Sequence, residues 1–168
     1  MKIIGSILIV IGCTACGFLC AIRYKTELAL LRMLSVGLAH ISAQLEHKLL
    51  PLPSLLEEAA SVCTGKVSSV FGELSDELET QSSPDVKSCM NVVLERRGDV
   101  PDSLRESLVH LSYSLGKFDL PGQLQGIAQT SEFVKRSISM LEAEQNSKSK
   151  LYKTLGLCAG LALAIVLI

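Results

Sequence analysis

From Ile3 to Ile22 the chain carries no charged residue, and this run of 20 constrains everything that follows it. As a helix it rises about 30 Å, the thickness of a bilayer's hydrocarbon core. A cleaved secretion signal has a shorter apolar core and then a polar cleavage region. Here the apolar character continues past every small residue until Arg23. Val10-Ile11-Gly12 before Cys13 is also compatible with a lipoprotein signal. A lipidated cysteine is ordinarily followed by a polar tether, however, and here Phe18, Leu19 and Ile22 follow. The preferred reading is a retained transmembrane helix over residues 1–22.

A second apolar run, Leu155 to Ile168, closes the chain with 14 residues. That is roughly 21 Å of helix, short for a span. Counted from Leu151 it lengthens to 18 residues with Lys153 inside. Tyr152 suits the interface, and Lys153 can snorkel to the headgroups. A C-terminal transmembrane helix over 151–168 is preferred, with a half-inserted hairpin arm as the alternative. Arg23, Lys25 and Arg32 follow the first run, and Lys148, Lys150 and Lys153 precede the second. Basic flanks on both sides keep the middle in the cytosol and put both termini on the opposite side. Gly156 and Gly160 form a G-x-x-x-G, and Gly12, Cys16 and Cys20 a small-residue stripe, either of which allows close packing in a membrane. Small residues are also simply common in spans.

The middle, 23–150, reads as helix throughout. Tyr24, Leu28, Leu31, Leu34, Leu38, Ile41, Leu45 and Leu49 recur in steps of three and four, one buried helical stripe continuing from the first span. Pro51-Leu52-Pro53-Ser54 breaks it, and a short helix follows near 54–62. After Gly65, Val67, Val70, Phe71, Leu74 and Leu78 make another stripe. Thr80 to Asp85 is a loop, with Ser83-Pro84-Asp85 a helix start. Val86, Met90 and Val93 carry the next helix to Arg97, with Gly98 as its stop. Leu104, Leu108, Leu111, Leu115 and Phe118 follow Pro101-Asp102. Gly116 to Gln123 turns the chain into a last helix with Leu124, Ile127, Val134, Ile138 and Leu141 on its apolar face. Beyond them Gln145, Lys148 and Tyr152 make that face polar, so the helix leaves the bundle there. The fold class is all-α: a membrane-anchored antiparallel helical bundle flanked by N- and C-terminal transmembrane helices.

Little suggests chemistry. Net charge is −1, which offers no basic face for nucleic acid. The six cysteines form no disulfide framework. Cys13, Cys16, Cys20 and Cys158 lie in the apolar ends, where thiolates are poorly stabilised. Cys63 and Cys89 stand alone and behave as small hydrophobes. His40, His47 and His110 come without an H-E-x-x-H pattern. Thr64-Gly65-Lys66-Val67 lacks the earlier glycine and the hydroxyl of a phosphate loop, since Ala60 and Val67 occupy those places. No G-x-S-x-G elbow occurs. No catalytic residue, metal, cofactor or small-molecule substrate is therefore expected. Glu57-Glu58 and the Glu142 to Lys150 stretch read as solvated faces. Arg96-Arg97 reads as a solvated face or as a partner contact.

Three stretches resemble the stage III sporulation protein AB family: the start MKIIGSILIVIGCTACGF; LAHISAQLEHKLLPLPSLLEEAA, where a long helix ends in Pro-Leu-Pro; and LGKFDLPGQLQGI. The last is similar to the family's L-G-x-x-D-x-x-x-Q-x-x-x-I, matched by Leu115, Gly116, Asp119, Gln123 and Ile127. Pro121 and Gly122 depart from it and leave the start of the last helix open. The resemblance implies a component of the channel-like complex between mother cell and forespore, in the mother-cell membrane that becomes the outer forespore membrane. It implies a cytosolic bundle similar to the helical domain of type II secretion platform proteins. Such a platform is not an enzyme. It connects a cytosolic secretion-type ATPase to other membrane components, with self-association possible. Gly116, Asp119 and Gln123 make either a well-built interhelical turn or a partner-binding corner: Gly116 supplies a positive backbone angle, and Asp119 caps the next helix.

Overall fold

A computed structural model describes residues 2–47, 50–80, 85–116 and 119–167, with side chains described for those between 25 and 145. Within this range the chain forms six helices, and no strand occurs among the described residues. They are α1 (Lys2–His47), α2 (Leu52–Val62), α3 (Gly65–Glu79), α4 (Val86–Arg96), α5 (Asp102–Ser112) and α6 (Leu120–Leu167).

The first and last helices have 46 and 48 residues, so each apolar end is continuous with a bundle helix. The side chains of Gly12, Cys16, Cys20, Gly156 and Gly160, and residue Phe118, lie outside the described residues. The chain divides into two compact units, one of Met1–Leu28 with Ser139–Ile168 and one of Ala29–Ile138. The second unit is the bundle.

The bundle core follows the stripes. Leu31, Leu34, Leu38 and Ile41 of α1 are fully buried, as are Leu55, Leu56 and Ala59 of α2 and Val67, Val70, Phe71 and Leu74 of α3. Met90 and Val93 of α4, Leu104, Leu108 and Leu111 of α5, and Val134 of α6 complete it. Lys25–His47 is long and apolar enough to cross a membrane by length and composition. Its leucines face this core, so packing alone accounts for their apolarity. Gly37 lets α3 approach α1: a Cβ there would come within 2.7 Å of the Phe71 ring and 2.9 Å of Cys63 Sγ.

Neighbouring helices run antiparallel. His40 of α1 faces Glu58 of α2 at 3.9 Å, while Cys63 Sγ donates to the Met33 carbonyl. Ser68 and Ser75 of α3 donate to the carbonyls of Ala60 and Pro53. His110 of α5 and Ser114, just past its end, meet Thr130 and Gly126 of α6.

One helix start differs from the sequence expectation and another, left open by the sequence, is settled. Helix α2 begins at Leu52 rather than Ser54, with Pro51 as N-cap and Pro53 in the first turn. Helix α6 begins at Leu120, directly after Asp119, with Pro121 and Gly122 in its first turn. The reason is common to both. The first amides of a helix have no intrahelical acceptor, so a proline there sacrifices no bond.

Candidate functional site

The family-like motif folds into a turn at one end of the bundle. Tyr113 to Gly116 leave α5, and Gly116 has φ of +76°. That angle is one L side chains rarely adopt, and a Cβ there would also meet Val86 Cγ2 at 2.9 Å. Leu52 Cδ2 lies 3.6 Å away. The starts of α2 and α4 thus gather beside the turn that precedes α6. Asp119 is exposed and caps α6: Gly122 N–H donates to its Oδ1 at 3.3 Å, and Gln123 N–H donates to its carbonyl at 2.9 Å. Gln123 is half-buried behind it. The structure therefore brings Gly116, Asp119 and Gln123 into one tip.

Arg96 and Arg97 close α4, at the end away from Val86, in an ionic clamp that runs along α3. Arg96 Nη1 donates to Glu77 Oε2 at 2.9 Å, and the Glu77 side chain is only 8% exposed. Arg97 Nη1 sits 3.2 Å from Glu73 Oε1, and its Nε 3.6 Å from Asp99 Oδ1. Arg105 Nη2 donates to the carbonyls of Leu94 and Arg97, satisfying the end of α4. Lys66 at the start of α3 donates to the Asp99 carbonyl and lies 3.3 Å from its Oδ2. The hydrogen bond from Lys66 holds the Asp99 carboxyl below the ordinary carboxylate range, aided by the charges of Lys66 and Arg97. Both arginines engage carboxylates of their own chain. The chain enters the bundle at this end, where Met33 lies beside Cys63, and leaves it here, where the α6 residues past Phe133 run beside the start of α5.

The histidines do not converge. His40 faces Glu58, and His47 is exposed. His110 is fixed in a cleft of about 490 Å³ with Gln125, Gln129, Glu132, Phe133 and Arg136. Its ring stacks on Phe133 at 5.2 Å. His110 Nδ1 lies 3.0 Å from the Thr130 hydroxyl, which is also within hydrogen-bond reach of the Gly126 carbonyl at 3.0 Å. No group of three or more potential metal ligands occurs among the described residues.

Sequence reasoning missed one member of the tip. Tyr113 is 48% exposed, and the Lys87 ammonium sits 4.6 Å from its ring centroid. The signal was present. Tyr113 falls off the stripe of Leu104, Leu108, Leu111 and Leu115, so a large aromatic was due to face outward.

The stage III sporulation protein AB family model matches residues 2–168. The chain belongs to that family. It is therefore a sporulation protein. It is similar to the stage III sporulation protein AB of Bacillus subtilis (strain 168), with 27% identity over 170 residues and 99% of each chain covered. Its fold is similar to a solved stage III sporulation protein AB (SpoIIIAB), with a TM-score of 0.64 and 22% identity over 73% of this chain and 98% of that one. Gly116, Asp119 and Gln123, the residues that carry the resemblance in the last stretch, lie at the tip.

Proposed function

We propose that the protein is a non-enzymatic membrane platform of the mother cell–forespore channel complex, docking a cytosolic secretion-type ATPase and membrane partners through the bundle tip. The observation that carries this reading is the position of the tip. The family-like residues Gly116, Asp119 and Gln123 stand at the end of the bundle away from where α1 enters and α6 leaves. If residues 1–22 and 151–168 span the mother-cell membrane, with both termini outside, the bundle lies in the cytosol and its exposed Asp119 is open to a cytosolic partner. A fixed turn with an exposed carboxylate there offers a rigid contact surface.

The test is site-specific photocrosslinking from exposed positions beside Asp119 in sporulating cells, with mass spectrometry of the captured species. Capture of a secretion-type ATPase or of proteins of the same complex supports docking at the tip. Capture of lipid alone, or of copies of the chain alone, from every tip position sinks it and leaves a self-associating scaffold.

A further inference from the structure

We infer that Tyr113 anchors the tip to its partner, and that the partner presents an apolar slot for the ring edged by a carboxylate that meets Lys87. This rests on the reading of the tip as a docking face and goes beyond it by naming the anchor and its complement. Four observations converge on Tyr113.

Tyr113 is one of four large hydrophobic residues left exposed among those described, beside Val36, Val62 and Met140. Tyrosine among them joins a large apolar face to a polar handle and loses little conformational freedom on docking. Its placement is fixed: three residues on, Gly116 holds the turn at positive φ against Val86 and Leu52. Lys87, next to Val86, covers one face of the ring at 4.6 Å. The Tyr113 hydroxyl has no hydrogen-bond partner among the described residues. The ring is thus held from one side, with its hydroxyl bonded to none of the described residues.

The surroundings suit an interface. Leu50, Leu52 and Leu120 are half-buried, and Pro51 and Pro121 are exposed. These residues open α2 and α6, and an aromatic with apolar residues on one end of a bundle and a polar margin is the usual composition of an interface centre and its rim. Lys87 brings a positive charge to the ring itself, so the complementary feature beside the slot is acidic. A tyrosine with a lysine also suits a lipid headgroup layer. Against that, the pair lies at the end of the bundle away from the chain's entrance and exit, and the exposed carboxylate of Asp119 shares the surface.

The experiment uses the full chain in sporulating cells with a photoreactive residue at exposed Gln125, in otherwise unaltered protein and in Tyr113→Ala, Tyr113→Phe, Lys87→Gln and Asp119→Arg variants. The yield of the protein–protein adduct is measured, together with each variant's thermal midpoint in detergent. Tyr113→Ala should lower the yield at least about tenfold and leave the midpoint within about 2 °C. Tyr113→Phe should keep most of the yield, and Lys87→Gln should lose a few-fold. If Tyr113→Ala lowers the midpoint by more than that, Lys87→Gln decides, and an unchanged yield there overturns the inference. If Asp119→Arg abolishes the adduct while Tyr113→Ala does not, the tip docks but Tyr113 is not its anchor. If no variant changes the yield, or only lipid is captured, the docking reading of the tip fails and the inference with it.

Discussion

Gly116 shows how one residue can fix a surface. Its φ of +76° costs any L side chain about 1–2 kcal/mol, and the contact a Cβ would make with Val86 adds to that. Gly116→Ala is predicted to destabilise the bundle by roughly 2 kcal/mol, read from urea unfolding by circular dichroism; no loss would mean the turn relaxes freely. Arg96 works through its partner. Removing it leaves the Glu77 carboxylate, 8% exposed, without its cation. Arg96→Ala should therefore cost about 1–2 kcal/mol, given the exposure of the arginine, and Glu77→Gln in the same chain should restore part of it. If the double variant is no better than the single one, the pair is not coupled. Asp99 gives a pH signature. Its folded carboxyl is held below its unfolded value by Lys66, so this contribution is present above the unfolded pKa and lost as pH falls through the folded one. Lys66→Met should flatten the acid limb of a stability–pH curve; an unchanged limb would exclude the pair as a source.

At the scale of elements, α1 was the most legible and the ionic clamp the least. The steps from Leu28 to Leu45 need only helical periodicity, and all those residues are buried. The same held for Val67, Val70, Phe71 and Leu74 of α3, with Leu78 half-buried, and for Leu104, Leu108 and Leu111 of α5. The start of α2 differs from expectation and that of α6 is open in the sequence for one reason: a proline reads as a breaker, yet a helix's first turn tolerates it. The Asp119 cap could be read because donor and acceptor lie three residues apart. The Arg96–Glu77 bond spans 19 residues between two helices, and no local pattern announces which carboxylate a surface arginine will meet. Packing at Gly37 was equally hidden, since its reason is the Phe71 ring on another helix. Gly37→Val would drive a branched side chain into that ring and Cys63. It should cost about 1–3 kcal/mol and make the buried Cys63 thiol, whose pKa burial raises, react faster with a thiol reagent. Equal reactivity with unchanged stability would show that α1 and α3 can separate there at no cost.

The whole molecule joins a bundle with its own core, Ala29–Ile138, to two apolar ends that run on from its first and last helices. This arrangement makes anchoring and folding separable. Among the residues whose side chains are described, the core runs from Leu28 to Val134, which gives the bundle a core of its own. If both ends span a bilayer, either alone should retain the protein in the membrane fraction, since roughly 20 apolar residues suffice. A chain ending at Lys150 is then predicted to stay membrane-bound through residues 1–22. A chain lacking both ends should be soluble and keep a cooperative unfolding transition. The two single truncations differ in what they expose. Loss of 151–168 frees the lower part of α6, and the predicted result is a bundle of near-normal stability that no longer supports spore formation, because the tip is held by one tether instead of two. Fractionation, thermal melts and spore counts on the three truncations separate these cases. A chain ending at Lys150 that sporulates normally would show that one anchor is enough. A bundle without either end that still sediments with membranes would move the membrane contact onto the bundle surface.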